Sequence, residues 1–168
     1  MEKQLSFLNK IENKNLENNN FWQAYIDGAS RNNPGPAGAG VYIKKDNEIF
    51  LKKGFFLGEK TNNQAEYTAL AIALFFIKQE IYKNYNISII SDSELLIKQM
   101  NGIYQVKSPE LIKIKNFINY LLKNTKTTFK HVLRENNKIA DKLANEGIDK
   151  KNKLPQEFID LAKNFDIE

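Results

Sequence analysis

The pattern of apolar and polar positions is strand-like from residue 21 and becomes helical near residue 60. FWQAYID (21–27), VYIKK (41–45) and EIFLKKGFFLG (48–58) are rich in aromatic and β-branched residues, which is typical of strands. Prolines and glycines in 32–40 predict a turn-rich loop, and Asp-Asn at 46–47 predicts a two-residue hairpin turn. We therefore expect three consecutive strands, the first of them ending at the Asp-Gly of residues 27–28.

Beyond residue 60, apolar residues recur with the period of helices, interrupted by two short strand-like runs. The predicted elements are, in order, helix 61–82, strand 86–90, helices 92–100 and 109–123, strand 127–133, and helices 136–148 and 156–165. Apolar residues at helical spacing predict buried faces on two of these helices, and Trp22 and Tyr25 are also expected in the core. The apolar positions are Leu70, Ala73, Leu74 and Ile77 in one helix and Leu111, Ile114, Phe117, Ile118 and Leu121 in the other. This order of elements predicts an α/β fold with a mixed sheet covered by helices.

The chain of 168 residues has the length of one domain, with no cysteine and a single histidine, His131. These counts exclude a disulfide framework, a thiolate nucleophile, zinc–cysteine and iron–sulfur sites, and a histidine-cluster metal site. A metal would need oxygen ligands, which favours Mg²⁺ or Mn²⁺. We divide the chain into a polar N-terminal appendage (1–20), one domain (21–149) and a helical tail (150–168).

Positive charge is concentrated in one part of the chain. The net charge is +5, and residues 92–140 hold nine basic and four acidic side chains. Such a segment suits an anionic partner, although a solvated lysine face has the same composition and a lysine-rich chain also reflects an AT-rich genome. Neither a signal peptide nor a run long enough to span a membrane is evident, so a cytoplasmic protein without membrane contact is expected.

Four acidic residues, Asp27, Glu66, Asp92 and Asp141, fall where strands end and helices begin. Each has an ordinary structural explanation: a turn for Asp27, the helix dipole for Glu66, a helix N-cap for Asp92, and a surface ion pair with a neighbouring lysine, 138 or 142, for Asp141. Together they point to one rim of the sheet, where ligands gather in open α/β folds. Carboxylates clustered there would repel each other unless cations bridged them.

These acids lie in four spaced blocks that resemble type 1 ribonuclease H. The blocks are YIDGASRNNPGPAGAGVYI (25–43), TNNQAEYTALAIAL (61–74), IISDSELLIKQMNG (89–102) and RENNKIADKLAN (134–145). The resemblance covers about residues 21–149 and implies a ribonuclease H-like fold. That fold is a five-stranded mixed sheet, three antiparallel strands and then two parallel ones, with helices packed on both faces.

The resemblance also implies an activity: endonucleolytic cleavage of the RNA strand of RNA–DNA hybrids, giving 5′-phosphate and 3′-hydroxyl ends. It makes Asp27, Glu66, Asp92 and Asp141 the catalytic carboxylates and the ligands of two Mg²⁺ ions, with Mn²⁺ as a substitute. Two ions flanking the scissile phosphate would activate water and stabilise the leaving oxygen. A monomer without an obligate protein partner is expected.

By the same resemblance, several residues around the acids are expected to contact the substrate. They are Gly28, Ser30, Asn33, Thr61, Asn62, Asn63, Lys107 and Asn137. The first three would meet the minor groove and read 2′-hydroxyls, and Thr61 would contact a phosphate of the DNA strand. The structural alternatives are an Asn-Pro-Gly turn, capping of the helix that begins at 61 or 62, and a solvated lysine face.

The chain departs from the family pattern at two places. It lacks the basic insertion that some members carry at 101–111, and it lacks the histidine loop before the last aspartate. His131 is expected in the fifth strand with a structural role, and Arg134 or Glu135 is expected near the metals. Two other functions therefore stay open: a module that binds hybrid or structured RNA with little cleavage, and a nuclease acting on double-stranded RNA.

Overall fold

The computed structural model describes residues 21–80 and 85–168, so the predicted appendage (1–20) and the end of the helix predicted over 61–82 lie outside the described residues. The strands are β1 (Phe21–Ser30), β2 (Gly35–Lys45), β3 (Glu48–Lys60), β4 (Asn86–Ser91) and β5 (Lys126–His131). The helices are α1 (Asn62–Glu80), α2 (Glu94–Met100), α3 (Pro109–Leu121), α4 (Lys138–Lys150) and α5 (Gln156–Lys163). A 3₁₀ turn at Arg134–Asn136 precedes α4.

The five strands form one mixed sheet in the order β3-β2-β1-β4-β5, as the resemblance implies. Strands β1, β2 and β3 pair antiparallel through short turns, and β4 and β5 are each added in parallel. Strand β1 is therefore central, because it pairs with β2 on one side and β4 on the other. Strands β3 and β5 form the two edges of the sheet.

Helices α1 and α4 lie on opposite faces of this sheet. A Cβ at Gly28 of β1 would meet the backbone of α1, with Glu66 N only 2.1 Å away. A Cβ at Gly40 of β2 would meet the backbone of α4, with Ala140 O at 1.9 Å. Gly40 pairs with Asp27, the neighbour of Gly28, and successive residues of a strand point to opposite faces. The expected covering of both faces is thus observed.

Two boundaries at the start of the domain differ from the sequence prediction. Strand β1 continues to Ser30 and β2 begins at Gly35, so Asp27 lies within a paired strand and the loop shrinks to 31–34. Small residues explain the difference, because Gly38 and Gly40 let α4 approach the backbone of β2 while both residues still pair with β1. Helix α4 likewise continues to Lys150, past the glycine at 147 where an end was expected.

The core lies mainly between the sheet and the two helices α1 and α3. All nine apolar residues predicted to face inward on these helices are buried, as is Trp22. Tyr25 is only partly buried, contrary to prediction. In α5, Phe158 is buried against Phe75 and Phe117, with ring centroids 5.4 and 5.6 Å apart, so the C-terminal helix closes one end of the core.

Candidate active site

Asp27 and Asp92 are placed side by side by the register of the central strands. Tyr25 of β1 is paired with Ile90 of β4 in parallel, and two residues further along each chain stand Asp27 and Asp92. Asp92 follows the end of β4 directly but does not cap the next helix. Ser93 takes that role, because its hydroxyl accepts a hydrogen bond from Leu96 N at 3.3 Å. Asp92 is therefore available for chemistry at the end of β4, beside Asp27.

Glu66 approaches Asp27 and Asp92 from the start of α1. Thr61 and Gln64 form a capping box: Gln64 N donates to Thr61 Oγ1 at 3.2 Å, and Thr61 N donates to Gln64 Oε1 at 2.8 Å. The close contact between Gly28 and the α1 backbone then holds Glu66 near the end of β1. Its Oε2 accepts a 2.6 Å hydrogen bond from the hydroxyl of Ser93, which ties Glu66 to the residue after Asp92.

Asn137 connects the start of α4 to both central strands. Its buried amide donates to the carbonyl oxygen of Ile26 at 2.9 Å and to Oδ1 of Asp92 at 2.7 Å. Asn137 therefore orients the carboxylate of Asp92. It also fixes the position of the first turn of α4, in which Asp141 lies. The expected contact of Asn137 with substrate stays a prediction.

Asp141 faces the site from α4 and pairs with Arg134, not with the lysines at 138 or 142. The guanidinium nitrogen Nη2 lies 3.1 Å from Asp141 Oδ1. Lys142 instead faces Glu146, at 4.0 Å. Arg134 was expected near the carboxylates and lies there, while Glu135 beside it is exposed and makes no ion pair among the described residues.

The other three carboxylates all lie close enough to Asp27 to act on its charge. Burial, followed by repulsion from Asp92, Asp141 and Glu66, raises the pKa of Asp27 from 3.8 to about 8. Burial is also the largest cause that raises the pKa of Glu66; repulsion from Asp92 adds to it and the Ser93 hydrogen bond opposes it. Burial and repulsion thus oppose ionisation of Asp27 and Glu66, and an oxygen-only cluster of this kind fits a hard divalent cation.

Protein atoms alone do not enclose such a cation. Within residues 21–80 and 85–168, no three acidic or imidazole side chains converge on one ion-sized point. A cation at these carboxylates would complete its shell with oxygens from water or phosphate, as Mg²⁺ commonly does. The donor set therefore fits Mg²⁺ or Mn²⁺ in an open site.

The loop after β1 is attached to the start of α1 by side chains that were expected to meet the substrate. Asn33 Oδ1 accepts from Asn62 N at 2.9 Å, and Asn62 Nδ2 donates to Glu66 Oε1 at 3.2 Å. The Ser30 hydroxyl lies within hydrogen-bond distance of two carbonyl oxygens, of Lys60 at 2.7 Å and of Asn32 at 2.9 Å. Thr61 thus caps α1, one of the predicted alternatives, whereas the contact of Asn33 with the N–H of Asn62 was not predicted.

The other residues expected at the substrate differ in their exposure. Gly28 is buried against α1, whereas Asn63 and Lys107 are exposed. His131 ends β5 as expected, and its Nε2 lies 3.2 Å from the backbone oxygen of Asp92. The sequence reasoning missed Ser93, which binds Glu66; its signal was a serine directly before a helix and directly after an acid.

Comparisons with known proteins agree with this geometry. The family model described as reverse transcriptase-like matches residues 25–147. Ribonuclease HI of Halobacterium salinarum is 40% identical over 128 residues, which are 75% of this chain and 63% of that protein. The chain thus spans less than two thirds of that relative's length.

Two solved structures are similar over most of their length. The RNase H1 of the halophilic archaeon Halobacterium salinarum has a TM-score of 0.72 and 38% identity, covering 77% of this chain and 98% of that one. LC11-RNase H1, solved in complex with an RNA/DNA hybrid, has a TM-score of 0.71 and 37% identity. The match covers 77% of this chain and 97% of that one.

In the part of the chain that the structure describes, no helix combines the length and apolarity needed to cross a bilayer.

The match to the family model includes part or all of every strand and all four acidic residues. The first matched residue, Tyr25, lies two positions before Asp27, and the last, Gly147, lies six after Asp141. The chain therefore belongs to the reverse transcriptase-like family and, within it, to the compact type 1 ribonucleases H.

Proposed function

We propose that this protein is a metal-dependent endoribonuclease that hydrolyses the RNA strand of RNA–DNA hybrids and leaves 5′-phosphate and 3′-hydroxyl ends. The observation that carries the proposal is the convergence of Asp27, Glu66, Asp92 and Asp141 near the ends of the central strands β1 and β4. A purely structural role does not account for four acids so placed that burial, followed by repulsion from the other three, raises the pKa of Asp27. The similarity to a protein solved with an RNA/DNA hybrid supports the choice of substrate.

The four carboxylates would hold two Mg²⁺ or Mn²⁺ ions, which supply an activated water and neutralise charge developing on the scissile phosphate. The chain's own residues fix the geometry of these acids before any ligand binds. Asn137 orients Asp92, and Ser93 orients Glu66. Asp27 is held within a paired strand, so its backbone cannot adjust freely. Such preorganisation reduces the cost of assembling the reactive arrangement.

The residues beside the acids would bind the hybrid. Exposed Asn63 lies at the start of α1, where helix N–H groups and the dipole favour phosphate. Asn33 and Ser30 shape the loop that would face the minor groove, where 2′-hydroxyls distinguish RNA from DNA. Lys107, exposed after α2, would contribute charge on the side where the longer insertion is missing. A monomeric state and a cytoplasmic location stay predictions.

The test is cleavage of an end-labelled RNA strand in a hybrid, with Mg²⁺, with Mn²⁺ and with EDTA. We expect internal cuts that need a divalent cation and fall at least about 100-fold in Asp92→Asn, because a ligand and its charge are lost. Asp160→Asn is the matched control, since Asp160 bonds only Gln156 and Lys163 on α5 among the described residues. It should cleave at the parental rate.

The other outcomes separate the remaining functions. Tight binding of the hybrid without cuts in either metal would contradict catalysis and favour a binding module. Cleavage of double-stranded RNA in preference to the hybrid would contradict the proposed substrate. Equal loss of activity in Asp160→Asn and Asp92→Asn would show that the variants report on folding and not on the site.

A further inference from the structure

Arg134 is the one positively charged side chain that contacts the candidate carboxylates in residues 21–80 and 85–168. It begins the 3₁₀ turn between β5 and α4, and it is one of only two arginines in a chain with 25 basic residues. Its Nη2 bonds Asp141 Oδ1 at 3.1 Å, and the negative charges of Asp27 and Asp92 also act on it. The guanidinium thus supplies cationic charge to the cluster itself.

This charge is permanent, unlike that of a histidine. Arginine does not lose its proton in proteins, so it cannot be neutralised in place. A divalent ion bound to Asp141 would repel the guanidinium, since both would lie within a few ångströms of the same carboxylate. Solvent screens this repulsion at an exposed side chain, so the ion disfavours the contact between Arg134 and Asp141 by a modest amount.

The surroundings of Arg134 allow it to move away from Asp141. Its side chain is 79% exposed, compared with 32% for Asp141. Asp141 is its single ion-pair partner in the described part of the chain, so few contacts hold it in place. Asp141 is more constrained, because its backbone N–H already donates within the first turn of α4, to Asn137 O at 3.1 Å.

We propose that Arg134 is an internal counterion that occupies Asp141 before metal binds and competes with the divalent cation for that carboxylate. The inference rests on the proposed function only in taking the four acids as a cation site. The competition weakens the affinity of the free protein for metal and keeps Asp141 oriented while no cation is bound. It makes Arg134 a positioning residue, which acts through Asp141.

The test is a titration of the full chain with Mn²⁺, without nucleic acid, in which free Mn²⁺ is measured by electron paramagnetic resonance. We expect Arg134→Gln to tighten the first dissociation constant roughly three- to tenfold, because removing an exposed opposing charge has effects of this order. Arg134→Lys should stay close to the parent protein. Arg31→Gln is the matched control, since the other arginine pairs with Asp149 far along α4, at 2.6 Å.

A double-variant cycle assigns the effect to the pair. In an Asp141→Asn background, Arg134→Gln should change the affinity for Mn²⁺ less than twofold. A second measurement needs no variant at the site: with ¹⁵N-labelled arginine, only two Nε–H signals are expected. Addition of Mg²⁺ should shift the Arg134 signal toward that of free arginine, and the Arg31 signal should stay in place.

The outcomes distinguish this inference from the proposed function. Mn²⁺ binding that is unchanged or weaker in Arg134→Gln, together with an unmoved Arg134 signal, would overturn the counterion role and leave the nuclease proposal intact. Absence of Mn²⁺ binding in every variant, together with no cleavage of the hybrid, would overturn both. If Arg134→Gln did not fold, the arginine signals of the parent protein would still show whether Mg²⁺ displaces Arg134 from Asp141.

Discussion

Asn137 is the residue on which the geometry of the candidate site most depends. One buried amide group joins three elements, because it bonds the Ile26 carbonyl in β1, bonds the Asp92 carboxylate after β4, and itself precedes α4. Buried amides that satisfy two acceptors are costly to remove, since the acceptors lose their partner without gaining water. Asn137 therefore contributes both to stability and to the orientation of Asp92.

We expect Asn137→Ala to lower the free energy of unfolding by about 1–3 kcal/mol, because two hydrogen bonds are lost in a buried place. Hybrid cleavage should fall at least tenfold at temperatures where the variant is fully folded, because Asp92 can then rotate. Urea unfolding and single-turnover cleavage measure the two effects. Asn119→Ala, on the exposed side of α3, is the control and should change neither quantity. Cleavage at the parental rate would contradict the orienting role.

Asp27 gives the metal-free protein a specific dependence on pH. The pKa of Asp27 is about 8 in the folded protein, compared with 3.8 for an ordinary aspartate, the value taken for the unfolded chain. Between these two pH values, the folded state holds a proton that the unfolded state has released. Stability therefore falls as pH rises from about 4 to about 8, and the penalty is complete above that range. Below about pH 4 both states are protonated and no penalty remains.

Asp27→Asn should remove this penalty. In EDTA at pH 8.5, we expect the variant to be more stable than the parent by roughly 2 kcal/mol, a discounted value because solvent screens part of the shift. The difference should disappear near pH 4. Urea unfolding at several pH values measures it, with Asp149→Asn, at an exposed ion pair, as control. A parent that gains stability relative to Asp27→Asn from pH 5 to 8 would contradict the assignment.

At the scale of elements, close backbone contacts determine where the acids lie. Strand β1 touches α1 at Gly28, where a methyl group would approach Glu66 N to 2.1 Å and Ala65 C to 2.3 Å. Real side chains essentially never make such contacts with backbone, so either the helix or the strand must shift. This contact sets the distance between the elements that carry Asp27 and Glu66.

Gly28→Ala is therefore expected to destabilise the fold by about 2–4 kcal/mol and to reduce cleavage more than its loss of stability explains. Gly102→Ala is the comparison, because a Cβ there meets no atom within 4 Å and the cost is only that of its φ of +74°. That cost should be about 1 kcal/mol. Thermal unfolding and cleavage below both melting temperatures measure the effects. Equal losses of stability and cleavage in the two variants would show that the contact of Gly28 with α1 does not set the position of the acids.

The sequence predicted the elements well because their signals are local. Leu111, Ile114 and Phe117 repeat at helical spacing, and all three are buried in α3 as expected. The extent of β1 and β2 was not predictable in the same way. The chain around Pro34 and Gly35 looks like a loop, and only the pairing of Ser30 with Ala37 shows that the strands continue. Pairing across a sheet depends on the partner strand and leaves little local signal.

The candidate site also combines features that the sequence predicts with contacts that it does not predict. The resemblance placed Asp27, Glu66, Asp92 and Asp141 together because each lies in a recognisable block. The contacts that orient them were not predicted: Ser93 with Glu66 joins residues 27 apart, and Asn137 with Ile26 joins residues 111 apart. Such partners depend on helix placement to within about an ångström, which no spacing along the chain specifies.

At the scale of the whole molecule, the C-terminal helix completes the core at a distance from the candidate site. Phe158 is 4% exposed and its ring packs against Phe75 of α1 and Phe117 of α3. Phe165 extends the cluster, with its ring 5.1 Å from that of Phe117. The cluster couples α5 to the helix that carries Glu66, but it includes none of the four acids.

We expect Phe158→Ala to cost about 3–5 kcal/mol of stability, because a large buried ring leaves a cavity. At a temperature where the variant stays folded, its cleavage rate should be within about twofold of the parent. Tyr104→Ala is the control, since that ring is 47% exposed on the loop after α2 and should cost less than about 1 kcal/mol. A variant that folds fully but does not cleave would show that α5 affects the site directly.

The order of the strands has a consequence for how copies of this protein behave when concentrated. An edge strand offers unpaired N–H and C=O groups to which a strand of another molecule can add. Both edges here carry exposed lysines, Lys52 and Lys53 on β3 and Lys126 and Lys130 on β5. Two copies approaching edge to edge would bring like charges together. The lysines that give the chain its basic character thus also protect the open sheet against aggregation.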